Sequence, residues 1–237
     1  MARSANAQLL ISMLDAVLIE WENVLVDTSS ARRDALVRAF AEEGLRFDES
    51  RWFAACHGRS LHGAVASALS HAGQADEPLA DLLVMRAGRA FAERLGKGFV
   101  LQPGARAFVE QAQVGVRIGI VTLATRVETE FVLRLAGLDG AFSIIVCAEA
   151  TEEARATYER ALVHLAGRRP VGNDRTVAVA HIAPAFRGAR AAGIRTLAVG
   201  APAHDALEAD GAVGNIDGLT VTDIARLAGL MSPEQPR

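Results

Sequence analysis

The sequence predicts an α/β protein: a doubly wound, parallel-sheet core with a small all-helical cap inserted after the first strand. Three observations predict it. Short apolar runs alternate with helical periodicity from about residue 105 onward, and strands joined by helical crossovers through Gly-bearing turns call for a parallel sheet covered on both faces. A wholly helical stretch separates the first apolar run from this alternation. That first run, within residues 15–28 (DAVLIEWENVLVDT), ends on two acids two residues apart, Glu20 and Glu22. In an open α/β sheet, ligands bind outside the carboxyl ends of the strands. Both acids are therefore candidate site residues, spaced to share a phosphate or a metal.

The elements follow in order. Ser29 or Ser30 can cap a helix with apolar positions at Ala35, Leu36, Ala39 and Phe40. Trp52 and Phe53 open a second helix, and further helices cover about 60–72 and 78–95. Gly96, Lys97 and Gly98 break the chain, and Pro103-Gly104 starts the next helix. Helices are then expected at 105–113, 126–136, 151–165, 184–192, 203–207 and 222–230. The strands between them are expected at 116–122, 142–148, 176–181, 195–200 and 212–216. This divides the chain into an N-terminal tail (1–13), a core (14–28 and 100–231), a cap (29–99) and a C-terminal tail (232–237).

Composition narrows the function classes. The 237 residues are 51% hydrophobic and 22% charged, with a net charge of −3. Such a balance offers no long-range attraction to nucleic acid or an acidic membrane. No apolar run reaches transmembrane length, and the run Leu9-Leu10-Ile11 is too short for a secretory signal. Two cysteines, Cys56 and Cys147, make no disulfide framework and suit a reducing cytoplasm. The positive charges are nearly all arginine, and Lys97 is the sole lysine.

The stretch 15–28 resembles the first motif of the haloacid dehalogenase (HAD) superfamily, in its β-phosphoglucomutase and phosphoglycolate-phosphatase-like branch. The family pattern is close to D-A-V-I-F-D-L-D-G-V-L-V-D-T. The resemblance implies a Rossmann-like core with a helical cap, hydrolysis of a small phosphorylated metabolite, and a magnesium ion. It also implies four motifs. Glu20 stands at the nucleophilic Asp, Glu22 at the acid/base Asp, and Asn23 at a Gly. Thr122 stands at the phosphate-binding hydroxyl, followed by Leu123 where Asn is usual. Glu152 stands at the motif lysine, with Arg155 nearly one turn further on. His181 stands at the metal-binding Asp, with Ala180 beside it in place of an acid. In the cap, His57-Gly58-Arg59-Ser60 resembles the substrate-contacting loop, so Arg59 could meet a phosphate or carboxylate. It could equally be a helix-helix turn broken at Gly58.

These substitutions bear on chemistry. Glutamate carries its oxygen about 1.5 Å beyond aspartate, where ~1 Å of misplacement can cost on the order of a hundredfold. An acid in place of the lysine repels a phosphate by about 4 kcal/mol at ~4 Å and an effective dielectric of ~20. Imidazole suits zinc, manganese or nickel better than magnesium. The expectation is therefore a catalytically impaired, pseudo-phosphatase-like protein without a resident cofactor. Its partner would be a small phosphorylated metabolite or a protein that no motif names; no oligomeric state is indicated. The alternative is an active hydrolase in which Glu20, Glu22 and His181 hold a transition metal.

Overall fold

The computed structural model describes residues 14–49, 58–74, 76–148, 154–167 and 169–230. Both tails, the helix expected from Trp52, Cys56, His57 and Glu152 lie outside the described residues. In chain order the elements are β1 (Ala16–Ile19), β2 (Val26–Asp27), α1 (Ser29–Glu42), α2 (Leu61–His71), α3 (Glu77–Gly96) and β3 (Val100–Leu101). Then follow α4 (Ala105–Gly115), β4 (Arg117–Thr122), α5 (Arg126–Leu135), β5 (Ile144–Cys147), α6 (Ala154–Ala166) and β6 (Thr176–Ala180). The chain closes with α7 (Ala183–Ala191), β7 (Arg195–Val199), α8 (Ala203–Ala206), β8 (Gly211–Val213) and α9 (Val221–Leu227).

Six strands form one sheet in the order β5-β4-β1-β6-β7-β8, parallel throughout. From β1 the chain steps outward through β4 to β5, then crosses back to β6 on the other side. The order therefore reverses at β1, which places the crevice at its carboxyl end. Alternation along β1 feeds two cores. Val17 and Ile19 pack with Phe108 and Val109 of α4, Val132 of α5 and Ile224 of α9. Ala16 and Leu18 pack with Tyr158, Ala161 and Leu165 of α6 and Ala189 of α7. The central strands β1, β4 and β6 are thus buried on both faces, which is why each reads as a continuous apolar run.

The cap has its own apolar centre of Leu36, Phe40, Phe47, Val65, Leu69 and Leu83. Phe40 and Phe47 meet edge-on at 5.3 Å between centroids. The inner ends of α1 and α3 leave that centre: Ala31, Ala35, Ala90 and Phe91 join the core beneath the sheet's carboxyl end. The two chain crossings between core and cap pair with each other, since β2 runs antiparallel to β3 with Val26 opposite Leu101.

Several local expectations shift. The N-cap of α1 is Thr28, with Ser29 and Ser30 already helical. The cause lies upstream: Asn23 Oδ1 accepts the Thr28 N–H at 3.2 Å and the Ser29 hydroxyl at 2.9 Å, so the helix begins sooner. The last strand stops at Val213 rather than 216, because the chain turns at Gly214. Gly104 does begin α4. Its φ is +76°, and a Cβ there would lie 2.4 Å from the Asp217 Cα, so only glycine fits. No helix among the described residues is long and apolar enough to cross a membrane.

Candidate active-site crevice

The carboxyl ends of β1, β4 and β6 deliver Glu20, Thr122 and His181 to one place. Two adjoining cavities open there. The larger, about 290 Å3, is lined by Glu20, Glu22, Arg32, Arg59, Leu123 and His181 together with cap residues. The smaller, about 260 Å3, shares Glu20 and Leu123 and adds Thr122, Thr157 and Tyr158.

Glu20 is placed by the sheet. Its N–H donates to the Val179 carbonyl at 2.9 Å, extending the β1–β6 ladder by one residue. Its Oε2 accepts the backbone N–H of His181 at 2.8 Å. The side chain is 7% exposed. Burial pushes its carboxyl up to about 8; the His181 N–H opposes this and the charge of Glu22 adds to it. Burial thus favours the neutral form of Glu20 over the carboxylate that would attack phosphorus.

Trp21 points the other way, into the core. It is fully buried, and its indole N–H donates to the Thr129 hydroxyl at 3.1 Å, tying the end of β1 to α5. Asn23 takes φ +58°, the left-handed conformation for which Asn is among the better-tolerated residues after glycine. It thereby fills the position where the resemblance puts Gly without breaking the turn.

Glu22 faces a different environment. Arg32 of α1 reaches down from the cap and places Nε and Nη2 each 2.9 Å from Glu22 Oε1. Its Nη1 lies 2.8 Å from Glu128 Oε1 on α5. The guanidinium also stacks over Phe91 of α3 at 3.9 Å. Burial alone would weaken its hold on the proton, but Glu22 and Glu128 reverse that and hold it above its ordinary range. Thus Arg32, one of the two arginines that line the larger cavity, is already committed to two carboxylates. Arg59 stands exposed at the rim, without an ion-pair partner among the described residues.

The remaining predicted residues divide. Thr122 is 3% exposed and uses its oxygen to accept the Ala124 N–H at 3.1 Å. Leu123 is half-buried and lines both cavities. Arg155, weighed as a substitute for the motif lysine, ion-pairs with Glu159 at 2.7 Å and lines neither cavity. The His181 ring places Nδ1 3.1 Å from the Val199 carbonyl, and its backbone N–H meets Glu20.

A hard divalent cation needs several ionised oxygen donors. Glu20 gives one oxygen to the His181 N–H, Glu22 is bound by Arg32, and the other buried acid, Asp205, accepts the Ala183 N–H at 3.2 Å. Among the described residues no group of three or more His, Cys, Asp or Glu is disposed to hold a metal. Among the described residues the donors present do not fit magnesium, and Glu20, Glu22 and His181 do not form a three-residue metal group.

Sequence reasoning missed Arg32, Glu128 and Thr157. Arg32 carried a readable signal, because it sits at i, i+4 and i+7 spacing with Leu36 and Ala39 on the apolar stripe of α1. A charge within such a stripe must find a buried partner. Glu128 also carried one, as the third residue after Thr125 in a capping box.

No curated protein sequence matches this chain. Solved structures do. CbbY from Rhodobacter sphaeroides in complex with phosphate is 21% identical, with 89% of this chain and 99% of that chain covered, at a TM-score of 0.79. A β-phosphoglucomutase from Clostridium difficile is 13% identical, with 91% and 97% covered, at 0.78. A haloacid dehalogenase-like family hydrolase from Streptococcus pneumoniae is 16% identical, with 83% and 90% covered, at 0.67. At these identities the likeness is one of fold. The family profile for haloacid dehalogenase-like hydrolases matches residues 21–199, beginning one residue after Glu20. Most of the chain lies within that match, and the protein belongs to the haloacid dehalogenase-like hydrolase family.

Proposed function

We propose that this protein is a non-catalytic member of its family, a pseudo-phosphatase that uses the crevice for binding, in a regulatory role. The observation that carries this reading is the state of Glu20. The position that should supply an ionised nucleophile holds a buried acid one methylene longer than Asp, in surroundings that push its carboxyl up to about 8. Two further features support it. Arg32, the buried arginine of the larger cavity, is neutralised by Glu22 and Glu128, and the acid expected beside His181 is Ala180.

The test is a turnover assay on p-nitrophenyl phosphate and small sugar phosphates with magnesium, run on the wild type and on Glu20→Gln. The two proteins are expected to be equally inactive. Magnesium-dependent turnover that disappears in Glu20→Gln would overturn the proposal. Turnover supported by zinc or manganese and lost in His181→Ala would overturn it too, in favour of a hydrolase with exchanged metal ligands.

A further inference from the structure

We infer that the smaller cavity beside Glu20 is a binding site for a small uncharged molecule, held through a carbonyl or amide group. This inference rests on the non-catalytic reading of the same crevice and adds the chemical class of the ligand.

The cavity, about 260 Å3, lies just below the range that pockets for drug-sized ligands occupy, which suits a smaller molecule. Its walls are largely apolar, with Val121, Leu123, Ile182 and Pro184 among them. No lysine or arginine lines it among the described residues. An anion entering it would lose its hydration and meet no opposite charge, which is strongly unfavourable.

Its polar groups are of another kind. The Thr157 hydroxyl is buried and has no hydrogen-bond partner among the described residues. An unsatisfied buried polar group is rare in a folded protein and calls for an explanation. The Tyr158 hydroxyl is next to it in sequence and also lines the cavity. It has no hydrogen-bond partner among the described residues, and burial followed by the nearness of Glu20 keeps it un-ionised. Glu20 closes the set, with one oxygen already taken by the His181 N–H. Two hydroxyl side chains, each both donor and acceptor, and a carboxyl line one largely apolar space. A carbonyl oxygen can accept from such a set, and an amide N–H can donate back to it. A carboxylate or phosphate would gain the same hydrogen bonds only by burying its charge.

The test is an NMR titration of the full chain at pH 7 with three probes: isobutyramide, isobutyrate and inorganic phosphate. Isobutyramide is expected to give saturable shifts at Thr122 and Leu123, with an affinity at least about tenfold above the two anions. Thr157→Val and Tyr158→Phe are each expected to weaken it by about tenfold, the scale of one lost hydrogen bond. Thr157→Val deletes an unpartnered hydroxyl and keeps the shape, so its melting temperature should not fall, and a loss of binding then reports contact rather than folding. Failure of isobutyramide to bind overturns the inference. So does equal or tighter binding of isobutyrate or phosphate, or unchanged amide affinity in both variants. These results alone leave the non-catalytic reading standing, whereas turnover of a phosphomonoester removes both.

Discussion

Glu20 and Glu22 are the same side chain, two residues apart at one strand end, in halves of the crevice with opposite electrostatics. Glu20 meets a single backbone N–H and apolar walls, so the cheapest state for it is neutral. Glu22 meets Arg32, which is shared with Glu128 and stacked on Phe91, so there the charges stay and cancel. The difference arises from what the neighbouring elements present. On the Glu20 side these are the end of β6 and helix α6; on the Glu22 side they are a cap helix and α5. The neutral half is a hydrogen-bonding pocket, and the charged half is a clasp between cap and core.

The sharpest way to break this comparison is to remove the ability of Glu20 to ionise. Its folded value is raised from 4.5 to about 8. For such a group the stabilising balance is fully present below the unfolded value and is lost as pH climbs toward and through the folded one. Wild-type stability should therefore decline between about pH 5 and pH 8 through this residue. Glu20→Gln has no proton to lose and should exceed the wild type by a growing margin, on the order of 4 kcal/mol at pH 8. Urea unfolding of both proteins at pH 5, 7 and 8 measures the margin. Parallel curves would mean that Glu20 is ionised in the fold.

The charged half is tested by Arg32→Ala. Removing the guanidinium leaves two partly buried carboxylates facing each other and uncovers the Phe91 ring. Breaking a largely buried ion pair from one side costs about 3 kcal/mol. Arg32→Lys should recover only part of this, since a point charge cannot serve Glu22 and Glu128 in the same planar fork. If Arg32→Ala unfolds at the wild-type urea midpoint, the clasp contributes nothing and the contrast between the halves disappears.

Much of the fold was legible because burial on both sheet faces leaves apolar runs too long to mistake, as in β1, β4 and β6. The crossing strands β2 and β3 were not legible, because two-residue strands have no period. The site was legible in position and not in state. Glu20 and Glu22 announce themselves, but Glu20 is set by a backbone N–H 161 positions away, and Glu22 by an arginine that another acid 96 positions further on also holds. No local pattern encodes such pairings. The sequence likewise offered Arg155 as a replacement cation by proximity to its motif, while the helix turns it outward to Glu159.

A smaller effect is expected where the cap loop meets the neutral half. Gly58 takes φ +68°, and a Cβ there would lie 2.4 Å from the Pro184 ring at the start of α7. Gly58→Ala combines left-handed strain with a collision against a stiff ring and should cost about 2 kcal/mol. Because Gly58 lines both cavities, the displacement should also alter amide shifts at Leu123 in the NMR titration. Equal stability of this variant and the wild type would show that cap and core are not in contact there.

The smallest effect concerns Thr28, at the edge of the charged half. Threonine at an N-cap ordinarily contributes about 1 kcal/mol through a bond from its hydroxyl to the first helical turn. Here that bond is missing: Thr28 caps α1 without a side-chain hydrogen bond, and its hydroxyl is buried with no partner. Asn23 does the holding instead, through the Thr28 N–H and the Ser29 hydroxyl. Thr28→Val keeps the shape and removes only the unsatisfied oxygen, so stability should stay within about 0.5 kcal/mol of wild type, with any shift upward. A loss of the full capping value would mean that this hydroxyl bonds to the helix in solution, and that the start of α1 depends on its cap residue rather than on the turn after β1.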